Sequence, residues 1–253
     1  MLKRPKTRLL MLSVTFFSLL ALFLSACGAQ GTVAPTNNNP VKGGTWLDEV
    51  PAAPGSLLPQ GSDTTYSVLI DQALYTPVVY GDALGALHPG LITEIPTVAN
   101  GGASADLKTW TFHFRPGLKW SDGQPLDARD LAYSIKTWND PTFGEKFTTG
   151  FQDITSTDVS SDNLTITMHL DKPIGPFVPT FADANPGSPL PMHEFQSMKP
   201  ADILKSPQGQ LPDVVSGPFK IDAANSTSQQ IYTLVRNPNY YQAGLPYLDK
   251  VVF

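Results

Sequence analysis

A mixed α/β (α+β) fold is what this sequence predicts, and three observations carry the prediction. Among 253 residues there are 24 prolines and 20 glycines, too much punctuation for a helical bundle and well suited to many short strands joined by turns. The apolar fraction of 41% is ample for a packed core and excludes a disordered chain. Within one stretch, Asp106 to Trp138, an every-second apolar pattern gives way to a helical one.

That stretch organises the rest. Trp110, Phe112 and Phe114 alternate with Thr111, His113 and Arg115, so the three rings share one face of a strand. Pro116-Gly117 breaks the run, Leu118 and Trp120 resume it as a short strand, and Ser121-Asp122-Gly123 breaks it again. Asp127 is placed to cap a helix, with Asp130 near its positive end and Leu131, Ile135 and Trp138 at helical spacing. One apolar helix face is thus predicted to cover the aromatic strand face.

Along the chain, residues 1–26 read as a signal segment. Lys3, Arg4, Lys6 and Arg8 form a positive start, and Leu9 to Ala26 carry no charge. Leu24-Ser25-Ala26-Cys27 looks like a bacterial lipobox, which makes Cys27 the expected site of lipidation. Cys27 is also the sole cysteine, which excludes intrachain disulfides and cysteine-based zinc clusters. Residues 27–41 are small, polar and proline-punctuated, the composition of a tether spanning on the order of 20 Å. Removing residues 1–26 takes four of the 17 basic side chains and none of the 22 acidic ones, leaving 13 against 22 and a formal charge of −9. So acidic a body argues against nucleic acid, and against an anionic membrane surface, as partners.

The body, residues 42–253, begins at Lys42-Gly43-Gly44-Thr45, an entry strand followed by a loop from Pro51 to Gly61. From Tyr66 to Tyr80, Val68, Leu69, Ala73 and Leu74 recur at loosely helical spacing before Pro77 and the strand-like Val78-Val79-Tyr80. Gly81 to Leu91 reads as strand, turn and returning strand, and Asn100-Gly101-Gly102 is a turn. Ser104 sits in a loop without the final glycine of a nucleophile elbow, which argues against a serine hydrolase. Ile154 to Val159 and Leu164 to Leu170 form a predicted hairpin, with His169 on its polar side. Residues 172–198 are proline-rich, and strands are predicted near Phe219 to Ile221 and in the final Val-Val-Phe. The four histidines, at 88, 113, 169 and 193, include no pair with zinc-ligand spacing, and no phosphate-cradling glycine loop occurs, so neither a metal site nor any cofactor is expected.

The order Phe112, Phe114, Arg115, Gly117, Lys119, Asp122, Gly123, Pro125, Asp130, Ser134 resembles the hallmark of the extracytoplasmic solute-binding proteins of peptide, dipeptide and nickel ABC importers. Ser216-Gly217-Pro218-Phe219-Lys220-Ile221 and the closing run Asn237, Pro238, Tyr240, Pro246, Leu248, Asp249 are similar to further motifs of that family, so the resemblance covers nearly all of Lys42 to Phe253. Two positions depart from it: Leu58 and Thr76 stand where acids are usual. The resemblance implies an incomplete, periplasmic-binding-protein type II-like lobe, with a mixed sheet and flanking helices. It implies binding of a short peptide or similar small solute, delivery to ABC permease subunits, a lipid-anchored place on the extracytoplasmic face of a bacterial membrane, and no enzyme activity. Because the loops near residues 172–198 approach the cleft in that family, Asp183, Asn185 and Ser188 become candidate ligand contacts. Family members are usually about twice as long, so the expectation is an N-terminal lobe without its partner lobe: a fragment, a split gene, or a truncated interaction protein.

Overall fold

The computed structural model describes residues 40–61, 64–144, 150–182 and 187–253, and Val41 to Phe253 form one compact unit. In chain order its regular elements are β1 (Thr45–Leu47), α1 (Thr65–Leu74), β2 (Val79–Gly81), β3 (Leu87–Pro89), β4 (Thr109–His113), α2 (Ala128–Trp138), β5 (Ile154–Val159), β6 (Thr165–Leu170), α3 (Met192–Phe195), α4 (Pro200–Ile203), α5 (Pro207–Gln210), β7 (Phe219–Ile221), β8 (Thr233–Arg236) and β9 (Lys250–Val252). Two sheets and a hairpin result. The first sheet, β1-β9-β8-β7, is mixed because β1 runs parallel to β9. The second, β4-β6-β5, is antiparallel, and β2 pairs with β3. Among the described residues no helix is long and apolar enough to cross a membrane.

The aromatic strand folds as its alternation predicts. Trp110, Phe112 and Phe114 are buried, while Thr111 and Arg115 are half-buried and His113 is exposed. Thr111 faces Thr167 across the ladder with their hydroxyls 3.2 Å apart, on the polar side of the sheet. On the apolar side Phe112 meets Phe181 edge-on at 5.1 Å, Phe181 meets Phe151 at 5.1 Å, and Phe151 meets Trp138 of α2 at 4.7 Å. Edge-to-face geometry sets the positive ring edge against the negative face and adds to the gain from burial. The short strand expected at Leu118 to Trp120 is only a single bridge, Lys119 to Pro125. Its turn closes at Gly123, whose φ of +91° suits a residue without a Cβ.

The face of α1 is a correction. Spacing marked Val68, Leu69, Ala73 and Leu74, yet the buried positions are Ser67, Ile70, Asp71 and Leu74, and Leu69 is exposed. The polar residues turn inward because the N-cap Thr64 hydroxyl lies 2.8 Å from that of Ser67, and because the end of the helix is clamped to the approach to β7. There the Gly217 N–H donates to Leu74 O at 2.7 Å, and a Cβ on Gly217 would fall 2.5 Å from the Leu74 carbonyl carbon. Leu58, where the resembled family has an acid, is fully buried and belongs to the core.

Candidate functional site

Three separate segments meet at the start of α2. Asp127 caps it, accepting from Arg129 N at 3.0 Å, and Asp130 completes the capping box by accepting from Asp127 N at 3.0 Å. Asp130 does more than cap. Its Oδ2 also accepts from Trp120 Nε1 at 3.3 Å, and its Oδ1 accepts from Met192 N at the head of α3 at 2.9 Å. Burial pushes its carboxyl up to about 6, outweighing the N–H donors that favour the ionised form. One turn on, Ser134 Oγ donates to Asp130 O at 2.5 Å and accepts from Leu190 N at 2.7 Å, fixing the segment before α3.

The turn at residues 121–123 is held as firmly to the segments that precede β7 and follow β8. Ser121 N donates to Val215 O at 2.9 Å, its Oγ accepts from Val215 N at 3.0 Å, and Asn239 Nδ2 donates to Ser121 O at 3.1 Å. These anchors bring Asp122 to α3, where its Oδ2 lies 2.9 Å from His193 Nε2. One ligand atom each of Asp122, His193 and Glu194 fall within 4.8 Å of one another. Burial raises the Glu194 carboxyl above its ordinary range, and the carboxylates of Asp213 and Asp122 push the same way. Beside this cluster a cleft of about 190 Å³ is lined by Gln124, Pro125, Arg129, Asp130, Met192 and His193.

Of the candidate ligand contacts, Asp183 and Asn185 lie outside the described residues, as does Cys27. Ser188 is fully buried; its carbonyl accepts from Gln60 Nε2 at 2.8 Å, and its hydroxyl has no partner among the described residues. The adjoining Gly187 carbonyl accepts from Val78 N at 2.9 Å, which ties this loop to the entry of β2. Thr76, the second departure from the family pattern, donates its N–H to Ser216 Oγ at 3.0 Å and its hydroxyl to Ser216 O at 3.1 Å. A short polar side chain fits where two backbones are stitched together. At the rim, Tyr80 stacks on His88 at 5.3 Å, and Arg115 lies over Tyr241 at 5.6 Å. Burial pushes the Tyr240 phenol up to about 12. No spacing signal marks the Asp122–His193–Glu194 group, because Asp122 is 71 residues from His193.

Solved structures share this fold. The ABC transporter substrate-binding protein CtaP from Listeria monocytogenes superimposes with a TM-score of 0.68 at 26% identity, over 84% of this chain and 40% of that one. The oligopeptide-binding protein AppA from Bacillus subtilis, in complex with a nonapeptide, superimposes at 0.69 with 20% identity over 84% and 40%, a likeness of fold. The class is therefore a substrate-binding-protein fold, present here as a partial lobe. Residues 86–253 match the model of bacterial extracellular solute-binding proteins, family 5 Middle, and the chain belongs to that family. Its members are transport binding proteins and not enzymes. Among relatives, a probable peptide ABC transporter periplasmic-binding protein, y4tO of Sinorhizobium fredii, is 28% identical over 193 residues, covering 72% of this chain and 33% of its own length. The oligopeptide-binding protein OppA of Bacillus subtilis is 33% identical over 130 residues, with 51% and 23% covered. The chain thus spans about a third or less of the length of these two relatives.

Proposed function

We propose that this chain is part of the extracytoplasmic, lipid-anchored solute-binding component of an ABC importer, taking a short peptide or similar small solute to its permease. The observation that carries this reading is the family match from residue 86 to 253, together with relatives named as peptide-binding proteins. Lipidation at Cys27 would hold the body on the outer face of the membrane, with residues 28–41 as a tether. Residues 1–26 act as the signal segment, and residues 42–253 form the lobe. Asp183, Asn185 and Ser188 contact the solute; the support is a loop fastened to β2 and a Ser188 hydroxyl that no described residue satisfies. Enclosure between two lobes is the usual way such a solute is buried.

A second reading is favoured by the outer edge of β1. Among the described residues that strand pairs with β9 alone, and its Trp46 and Leu47 are 58% and 74% exposed. Strand addition by another polypeptide would cover both the open ladder and the ring. In that case the chain acts as an interaction protein that traps no solute.

Calorimetric titration of the purified protein with a peptide library separates the two. Saturable peptide uptake that Asp183→Ala or Asn185→Ala weakens supports the importer reading, while heat only on adding a partner polypeptide supports the second. Membrane retention and unchanged precursor processing in Cys27→Ser would remove the lipid anchor from the account.

A further inference from the structure

The cluster of Asp122, His193 and Glu194 is used by neither the capping network nor the proposed solute contacts. One imidazole nitrogen and two carboxylates form the mixed donor set that borderline divalent transition metals take. Their ligand atoms already lie within 4.8 Å of one another. Around a tetrahedral zinc with bonds of about 2 Å, ligand atoms stand roughly 3.3 Å apart, so the three exposed or half-buried side chains would draw in around the ion.

The backbone under the donors is fixed from both sides. Ser121 is bonded to Val215 and Asn239, and the head of α3 is bonded to Asp130, so the donors are presented by anchored segments. Charge favours a cation as well. Two of the three donors are carboxylates, and a dication held between them would sit closer to both than the water that otherwise screens them. Three protein ligands leave one position for water or a ligand group, and the cleft of about 190 Å³, whose wall includes His193, gives it room.

We propose that Asp122, His193 and Glu194 bind a divalent transition-metal ion, zinc by donor chemistry, that staples the turn at residues 121–123 to α3. A bound ion would join the turn anchored on Val215 and Asn239 to the helix anchored on α2, stiffening the contact between them. Because the ion binds the folded arrangement, it raises the melting temperature by mass action.

The test is calorimetric titration of the chelator-treated full chain, in detergent and in a Cys27→Ser background so that the thiol cannot compete for zinc. Zinc chloride is expected to bind saturably with a stoichiometry of one. His193→Gln, Asp122→Asn and Glu194→Gln should each weaken binding by about tenfold or more, since even outer partners of a metal site have effects on that scale. Asp122→Asn retains a hydrogen-bonding group beside His193 and so removes a ligand without opening the turn. His169→Gln and His88→Gln, at the other histidine–aspartate pairs, should leave binding unchanged. Zinc should raise the melting temperature of the parent and not that of His193→Gln. The proposal is overturned by the absence of saturable uptake at millimolar zinc, by His193→Gln binding like the parent, or by magnesium binding as tightly as zinc. Any of these would leave His193 and Asp122 as an ordinary hydrogen-bonded pair.

Discussion

The two sheets of this molecule solve the same problem with unequal completeness. The β4-β6-β5 sheet closes its apolar face with side chains from a continuous part of the chain, Trp110 through Phe181, and the rings of Phe112, Phe151, Phe177 and Phe181 are fully buried. The β1-β9-β8-β7 sheet draws β1 and β9 from opposite ends of the compact unit, linked where Gly44 N donates to Asp249 Oδ2 across 205 residues. Its inner residues Leu234 and Val251 are buried, but all three residues of β1 are exposed. Local sequence can complete a core. A sheet closed by distant strands keeps an open edge wherever no further strand or helix is laid against it.

The largest expected effect lies in the closed sheet. Phe112→Ala should destabilise the fold by about 3 to 5 kcal/mol in a urea titration, through lost burial and the cavity left among the rings. A loss under about 1 kcal/mol would mean that the rings repack freely and the contrast between the sheets is weak.

Asp130→Asn comes next, at the start of α2. An amide cannot accept from Asp127, Trp120 and Met192 together, so one buried N–H is left facing an NH₂, at a cost of about 1 to 3 kcal/mol. The pH dependence has a definite sign. The folded carboxyl is raised to about 6, so the native state holds the proton more tightly than the unfolded chain does. Its stabilisation is complete below the ordinary carboxylate range and is lost as pH rises through about 6. The variant cannot titrate, so it should be more destabilised at pH 5 than at pH 8, and equal losses at both would remove Asp130 as the titrating group.

The smallest effect is expected at the open edge. Leu47→Lys, at a residue 74% exposed, should change stability by no more than about 0.5 kcal/mol. A larger loss would show that β1 is covered in solution, for instance by a second copy of the chain.

Much of the closed sheet was legible because its determinants are local. Alternation placed Trp110, Phe112 and Phe114 on one face, Asp127 marked the helix cap with Asp130 near its positive end, and helical spacing picked out Leu131, Ile135 and Trp138, all buried. The hairpin of β5 and β6 and the hydrogen-bonded His169 follow from the same period of two. The face of α1 was only partly legible: the Thr64 cap that holds Ser67 is local, but the approach of Gly217 to the end of the helix comes from far along the chain. The role of Asp130 was hidden because it reads as an acid at the positive end of a helix, while its bond to Met192 N joins positions 62 apart.

The sequence by itself therefore determined the family, the period of each element, and the stretch from Asp106 to Trp138 that organises the second sheet. Periodicity and capping are short-range and are written in neighbouring residues. Only the tertiary structure decided that Asp122 meets His193 and Glu194, and that Asp130 fastens α2 to α3. It also decided that β1 lies at an open edge of its sheet. Such meetings depend on how separate segments are anchored in space, and no local pattern of residue types encodes that distance.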